Sequence, residues 1–434
     1  MKKKTLKEKF ESGDYKPLGP LSARTIEKTG KWSASHYARM PFSVEKTDGP
    51  YIIDEDGNMA VDYLAGYSAI LYHGNPNVVR NLEAYLDRPI DLVGGVFPTR
   101  GYADLCEKIC NLTGFDKVLF KSDGVSVTDT AVKKLFEHGY RQGKGNPEVI
   151  LVKNYFHGRS IIFSSNAVFD EGQVGFLKKR FPENIVLVPY DPDAYRKAIN
   201  RNTVGSFMET HQGEAGPLFS KKDSFMEIRK TAKEAGIFFG LDEIQTGLGR
   251  CGHIMAWEEY GKDARPDFVT LGKALGAGII PVSALIGSNE FMEIIEPGTE
   301  GSTYGGYPLA CAVANSALDY IVKNEIGKKA INLGNYITSK LKNFGISSEN
   351  RGALIRLNLP GVETTKYACY EMLLGEREPR VFMKDGHSEG GVAYVRIAPV
   401  IGAMANKLDL IDETIEKTIS PVIEQAIQEG KNFH

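Results

Sequence analysis

The chain has 434 residues, 42% of them apolar and 25% charged, the balance of a soluble globular protein long enough for a large core and a second, smaller one. Its 53 lysines and arginines against 55 aspartates and glutamates leave a formal net charge of −2; no global positive field exists to hold nucleic acid or an anionic membrane surface. The most apolar stretch, 269–286, is interrupted by Lys273, Pro281 and several glycines, so no segment reads as a membrane span. The opening Met1-Lys2-Lys3-Lys4 is soon followed by Glu8 and Glu11 and reads as a solvated helix end, not as a targeting signal. Next, 51–58 reads as a strand and a tight hairpin turn, with Asp56-Gly57-Asn58 supplying residues that tolerate positive φ. Cys106 and Cys110 lie four apart in an amphipathic helical pattern; with Cys251, Cys311 and Cys369 they form neither a disulfide framework nor a zinc-type pairing, and reduced, buried thiols in a reducing cytoplasm are expected. No metal site is expected.

Between about Asp91 and Ala314, helical patterns alternate with short apolar runs at 117–120, 149–152, 185–189, 238–241 and 268–271. That alternation predicts an α/β fold with a mostly parallel sheet covered by helices. A helical pattern from 309 to about 344 leads to short strands near 354–357 and 393–397 and a closing helix from about Leu410, with 375–380 as an exposed loop. The expected division is 1–75 as an N-terminal segment and part of a small domain, 76–320 as the large domain and 321–434 as the C-terminal part of the small one. The small domain is thus α+β and built from both chain ends.

Ligands of such sheets collect beyond the carboxyl ends of the strands. The residues that follow these runs are chemically loaded: Ser122-Asp123-Gly124, His157-Gly158-Arg159, Asp242-Glu243 and Gly272-Lys273. Taken alone, Asp242-Glu243 could be a helix N-cap, and an Asp242–Lys273 pair could be a salt bridge. A lysine at the end of a buried strand is costly as an ammonium, and the neutral amine is the state that attacks an aldehyde. Pyridoxal 5'-phosphate would use both groups: the lysine as its Schiff-base partner, and the carboxylate to keep the pyridine nitrogen protonated while the ring takes up electrons.

The string from Leu241 to Arg250, with Arg265-Pro266-Asp267, Leu271-Gly272-Lys273-Ala274-Leu275 and Gly301-Ser302-Thr303-Tyr304-Gly305-Gly306, resembles the signature of class III pyridoxal-phosphate-dependent aminotransferases. More loosely, the likeness runs from about Tyr37 to Pro399. It implies the fold-type I transferase architecture, with Lys273 as the Schiff-base lysine, Asp242 as the pyridinium partner and Gln245 near the cofactor's phenolic oxygen. Phe156 would stack on the ring, and Gly124 and Val125 would offer backbone N–H groups to the phosphate at a helix N-terminus. Ser302 would also bind the cofactor, and Thr303 would reach the phosphate of the neighbouring subunit, which implies a homodimer with shared active sites.

Further positions resemble the substrate side of ornithine δ-aminotransferases. By that likeness Tyr37 receives the α-amino group, Arg159 grips the α-carboxylate while the distal amine reacts, and Tyr67 shapes the pocket. Arg396 would clamp the carboxylate of the second substrate, a task suited to guanidinium geometry, with Glu214 pairing Arg396 in the other half-reaction. The partners implied are a small amino donor and a 2-oxo acid acceptor. Class III racemases and epimerases share Lys273 and Asp242 and form the alternative reading, and a catalytically silent homologue is a third. Departures from the pattern are Asp123 in place of a hydroxyl, Ser126 in place of a glutamate, Tyr307 in place of an asparagine, and the stretch 384–391. A carboxylate beside a phosphate dianion disfavours the cofactor unless Asp123 turns away or caps the helix.

Overall fold

The computed structural model describes residues 4–87, 89–92, 95–164, 184–359, 361–387 and 393–431. The chain divides into two compact units, Pro76–Lys328, and Met1–Asn75 together with Lys329–His434.

The first of these units holds a seven-stranded sheet: β1 (Lys117–Lys121), β2 (Glu148–Val152), β3 (Ile185–Val188), β4 (Thr203–Glu209), β5 (Phe238–Asp242), β6 (Phe268–Leu271) and β7 (Ser283–Gly287), in the spatial order β1-β7-β6-β5-β4-β2-β3. All neighbouring pairs are parallel except those made by β7 with β1 and β6. Five strands fall where the apolar runs predict them. Two do not follow from those runs. β4 mixes Gly205, Ser206 and Glu209 with apolar residues although all seven of its positions are buried, and β7 begins just after Pro281 at the end of the long apolar stretch, which the sequence pattern does not divide into separate strands.

The helix α1 (Gly124–Arg141) crosses this sheet. Its Val127, Ala131, Val132 and Leu135 pack with Val149, Leu151, Phe207, Phe268 and Leu285 from the strands. Full burial of each large apolar side chain contributes about 1.5–3 kcal/mol. This core fixes the carboxyl ends of the parallel strands, so that the residues just beyond them are presented together.

In the other unit, Val44–Asp48, Tyr51–Asp54 and Met59–Asp62 form an antiparallel meander, and Arg380–Phe382 adds in parallel to its last strand. The hairpin turn after Asp54 stands where the sequence places it. There the Asp54 carboxylate accepts the backbone N–H groups of Asp56 and Asn58. A second antiparallel sheet runs in the order Ser348–Arg351, Leu354–Asn358, Ala393–Ile397, Lys384–His387. Residues 388–391 of the chain-specific stretch lie outside the described residues. The helical pattern from 309 is two helices, Pro308–Lys323 and Ile326–Asn343, broken where Glu325 takes φ +48°. The closing segment runs Leu408–Thr414, one π turn, then Ser420–Lys431. Among the described residues no helix is long and apolar enough to cross a membrane.

Candidate active site

Asp242 is the last residue of β5, 4% exposed, and every donor around it is fixed by the fold. Its Oδ1 accepts the N–H of Ile244 at 3.0 Å and the hydroxyl of Thr270 at 3.2 Å, Thr270 being its register partner on β6. Its Oδ2 lies 2.7 Å from Nδ1 of His157. The imidazole is buried, stacked on Tyr155 with ring centroids 4.8 Å apart and packed on Phe207. Nε2 of His157 is buried and meets no hydrogen-bond partner among the described residues. A bare lone pair is easier to bury than an unbonded N–H, so the proton sits on Nδ1 and is donated to Asp242. A carboxylate this deeply buried carries its charge best beside a cationic group that it can also hydrogen-bond.

Lys273 follows the neighbouring strand β6 and opens a single tight turn, Lys273–Gly276. Its φ is +41°, a region costly for a residue with a side chain, and such strain accumulates where side-chain direction matters. Gln245 packs on Gly213, where an added Cβ would fall 1.5 Å from Gln245 Oε1. Gln245 Nε2 is 3.4 Å from Glu214 Oε1.

Two residues central to this corner are missing from the expected set. His157 is among the loaded residues that follow the run 149–152, but no role is expected for it from the sequence. Glu209 ends β4, the strand the sequence hides. It is the register partner of Asp242 on β5, and its two oxygens accept the N–H groups of Phe156 at 2.8 Å and Gly213 at 2.9 Å. Glu209 thus ties down the expected ring-stacking residue and the segment bearing Glu214. Burial, then the charge of Asp242, pushes its carboxyl up to about 8.

At the far end of the sheet, Asp123 caps α1: Oδ1 accepts the N–H of Ser126 at 2.9 Å and Oδ2 its hydroxyl at 2.8 Å. Gly124 and Val125 are the first two residues of the helix. A Cβ on Gly124 would press on Ile244 Cδ1 at 3.2 Å, so glycine keeps this turn clear. Ser302 Oγ lies 3.3 Å from Ser122 Oγ, and Ser302 and Thr303 are exposed. Arg159 is exposed as well.

Tyr37, Tyr67 and Arg396 belong to the other unit. Tyr37 is 56% exposed. Tyr67 rides on a left-handed turn in which Ala65, Gly66, Tyr67 and Ser68 have φ of +49°, +55°, +58° and +73°, a conformation that costs about 1–2 kcal/mol per non-glycine residue. The buried Asp62 holds it. Oδ1 accepts the N–H groups of Leu64 and Ala65, both at 2.8 Å, and His73 Nε2 lies 2.9 Å from Oδ2. The turn sets the Tyr67 ring 5.7 Å from the guanidinium carbon of Arg396, itself 2% exposed and aligned across its sheet with Arg356 and Lys384.

The donor set of the first unit suits pyridoxal phosphate: a buried carboxylate for a protonated ring nitrogen, an amine for an aldehyde, and a glycine-cleared helix start for a phosphate. Comparison with known proteins agrees. The family model described as aminotransferase class-III matches residues 32–419. Ornithine aminotransferase of Staphylococcus carnosus (strain TM300) is 34% identical over 409 residues, 91% of this chain and 98% of that one. Ornithine aminotransferase 2 of Staphylococcus aureus (strain MRSA252) is 32% identical with the same coverage. Among solved structures, acetylornithine aminotransferase from Elizabethkingia anophelis superposes with a TM-score of 0.79 at 28% identity, covering 94% of this chain and 99% of that one. Ornithine aminotransferase from Toxoplasma gondii ME49 does so with a TM-score of 0.82 over the whole of both chains, at 24% identity a likeness of fold alone. With the match spanning most of the sequence, the chain belongs to the class III aminotransferase family and is a pyridoxal 5'-phosphate-dependent enzyme.

Proposed function

We propose that this aminotransferase moves the distal amino group of L-ornithine, or of a similar ω-amino acid, to 2-oxoglutarate in two half-reactions, giving glutamate semialdehyde and glutamate. The observation that carries the donor and acceptor choice is Arg396, buried and faced by Tyr67 on a strained turn. It suits a clamp for a carboxylate, and the two Staphylococcus relatives carry the ornithine name. When bound, the cofactor supplies an aldehyde that takes the amine and a ring that takes up electrons as the substrate's C–H bond breaks.

The chain's own residues do the rest. Lys273 would hold the cofactor and, once freed, would serve as the base that takes the proton from Cδ of the donor. Asp242, oriented by His157 and Thr270, keeps the ring nitrogen protonated. Phe156 would cover the ring, Gln245 would lie near its phenolic oxygen, and Gly124, Val125, Ser302 and Thr303 would hold the phosphate. Arg159 and Tyr37 take the carboxylate and α-amino ends of ornithine. In the second half-reaction Arg396 takes the carboxylate of the oxo acid, with Glu214 in the role that the resemblance gives it.

Thr303 reaching the phosphate of the neighbouring subunit calls for a homodimer. Exposed apolar side chains at Leu86, Ile90, Val96, Phe97 and Tyr304 in the same unit support a covered face there. None of the five cysteines is in a disulfide, which fits a cytoplasmic setting.

An absorbance spectrum tests the reading. The lysine-bound cofactor band should be bleached by L-ornithine alone and restored by 2-oxoglutarate, and Lys273→Ala should lack the band. A band that ornithine leaves intact refutes the donor. A band that survives in Lys273→Ala refutes the lysine.

A further inference from the structure

Asp123 stands where the family has a hydroxyl, and its side chain does not turn away from the helix start. It takes the amide of Ser126, in the first turn of α1, and the Ser126 hydroxyl as well. The amides of Gly124 and Val125, the two earlier positions of the same turn, are the ones proposed for the cofactor phosphate. One helix terminus, equivalent to about half a positive charge, therefore has to serve a carboxylate and a phosphate at once.

The lysines close by in sequence are directed elsewhere. Lys121 Nζ binds Glu300 at 2.9 Å and the carbonyl of Gly301 at 2.7 Å. Lys133 pairs with Glu300 at 2.5 Å, and Lys134 with Glu137 at 2.6 Å and with the Thr299 hydroxyl at 2.8 Å. These contacts brace the Thr299–Gly301 segment against β1 and α1. The charge of Asp123 is also felt locally: Asp129, one turn and a half along α1, has its carboxyl raised by burial and, after the opposing bond from Ser160, by Asp123.

We propose that Asp123 acts as a built-in anion at the phosphate end of the cofactor cradle, so that this chain holds pyridoxal phosphate loosely and prefers it only weakly over pyridoxal lacking the phosphate. The inference rests on the cofactor site proposed above. Asp123 keeps α1 capped when the cradle carries no phosphate. When the phosphate arrives, like charges share one turn, and affinity falls relative to a site with a neutral capping group.

The test titrates cofactor-depleted wild type and Asp123→Asn with pyridoxal phosphate and, separately, with pyridoxal, following the absorbance of cofactor bound at Lys273. Asparagine keeps a capping oxygen and removes the charge. Asp123→Thr, which keeps a capping hydroxyl, serves in its place should the first variant misfold. The expected result is a roughly 10-fold or greater tightening for pyridoxal phosphate, with pyridoxal affinity unchanged. An unchanged ratio of the two affinities overturns the inference and leaves Asp123 a helix cap alone. If neither ligand gives a lysine-bound band with wild type or variant, the cofactor site itself is wrong and the inference falls with it.

Discussion

At the end of β5 the Asp242 carboxylate is 4% exposed and bound by His157, Thr270 and the N–H of Ile244, whereas just past β1 the Asp123 carboxylate lies exposed and caps its own helix. Both are aspartates at strand ends of one sheet. Around Asp242 the fold has committed rigid donors from three elements, and an uncompensated charge there is expensive, so the pocket calls for a cationic partner. Around Asp123 the partners are local and water has access, so the carboxylate costs the fold little and is a matter of ligand preference. Replacing the first should damage chemistry; replacing the second should alter grip.

The largest effect is expected at the buried end. Asp242→Ala removes the group that keeps the ring nitrogen protonated, and the rate of cofactor bleaching by the donor should fall by about 10³-fold or more. A loss of less than about 10-fold would place the two aspartates on the same footing and end the contrast. A smaller loss is expected one shell out. His157→Phe keeps a ring against Tyr155 and Phe207 but removes the Nδ1 donor; by analogy with the outer partners of other tuned sites, a loss of about 10–100-fold is expected, seen in the same bleaching rate with pyridoxal phosphate affinity less affected. If affinity and not rate suffers, His157 packs and does not orient.

Much of this corner is legible in the sequence because burial writes itself as apolar runs. Runs 238–241 and 268–271 announce β5 and β6, and the loaded residues after them follow by position. Glu209 is hidden because β4 carries glycine, serine and a carboxylate inside a fully buried strand; both of its faces are buried, so no alternation marks it. Asp123 is visible as an anomaly, but only coordinates show that its carboxylate turns onto Ser126. The left-handed turn at Ala65–Ser68 is hidden for another reason. Only Gly66 among its four residues advertises positive φ, and the strain at the other three is held by Asp62, whose bonds to Leu64 and Ala65 are set by tertiary placement, not by local propensity.

Glu209 sharpens the comparison from the buried side, since it shows what a carboxylate does when the fold supplies N–H donors but also a like charge. Its carboxyl is pushed from an ordinary 4.5 to about 8, by burial first and then by Asp242. A folded-state value above the unfolded one means that the fold binds the proton more tightly. The resulting stability is therefore fully present below about pH 4.5 and is lost as pH rises through about 8. Glu243, raised to about 7 mainly by burial, acts in the same direction but is finished sooner. His138, pushed below its ordinary 6.5, titrates under this range, and the buried thiol of Cys106, raised from 9.0 to about 11, titrates above it. Glu209 thus carries the pH-dependent loss that reaches furthest up the scale, with Glu243 contributing below it. Thermal melting of the cofactor-depleted protein should show Tm falling as pH rises toward about 8 in wild type and falling less steeply in Glu209→Gln, whatever the absolute cost of the amide's mismatch with the Phe156 and Gly213 N–H groups. Adding pyridoxal phosphate should flatten the wild-type slope, because a protonated ring nitrogen beside Asp242 offsets the charge that helps to raise Glu209. A slope that persists unchanged in Glu209→Gln would mean that the carboxylate is ionised throughout, and that the buried end tolerates charge much as the Asp123 end does.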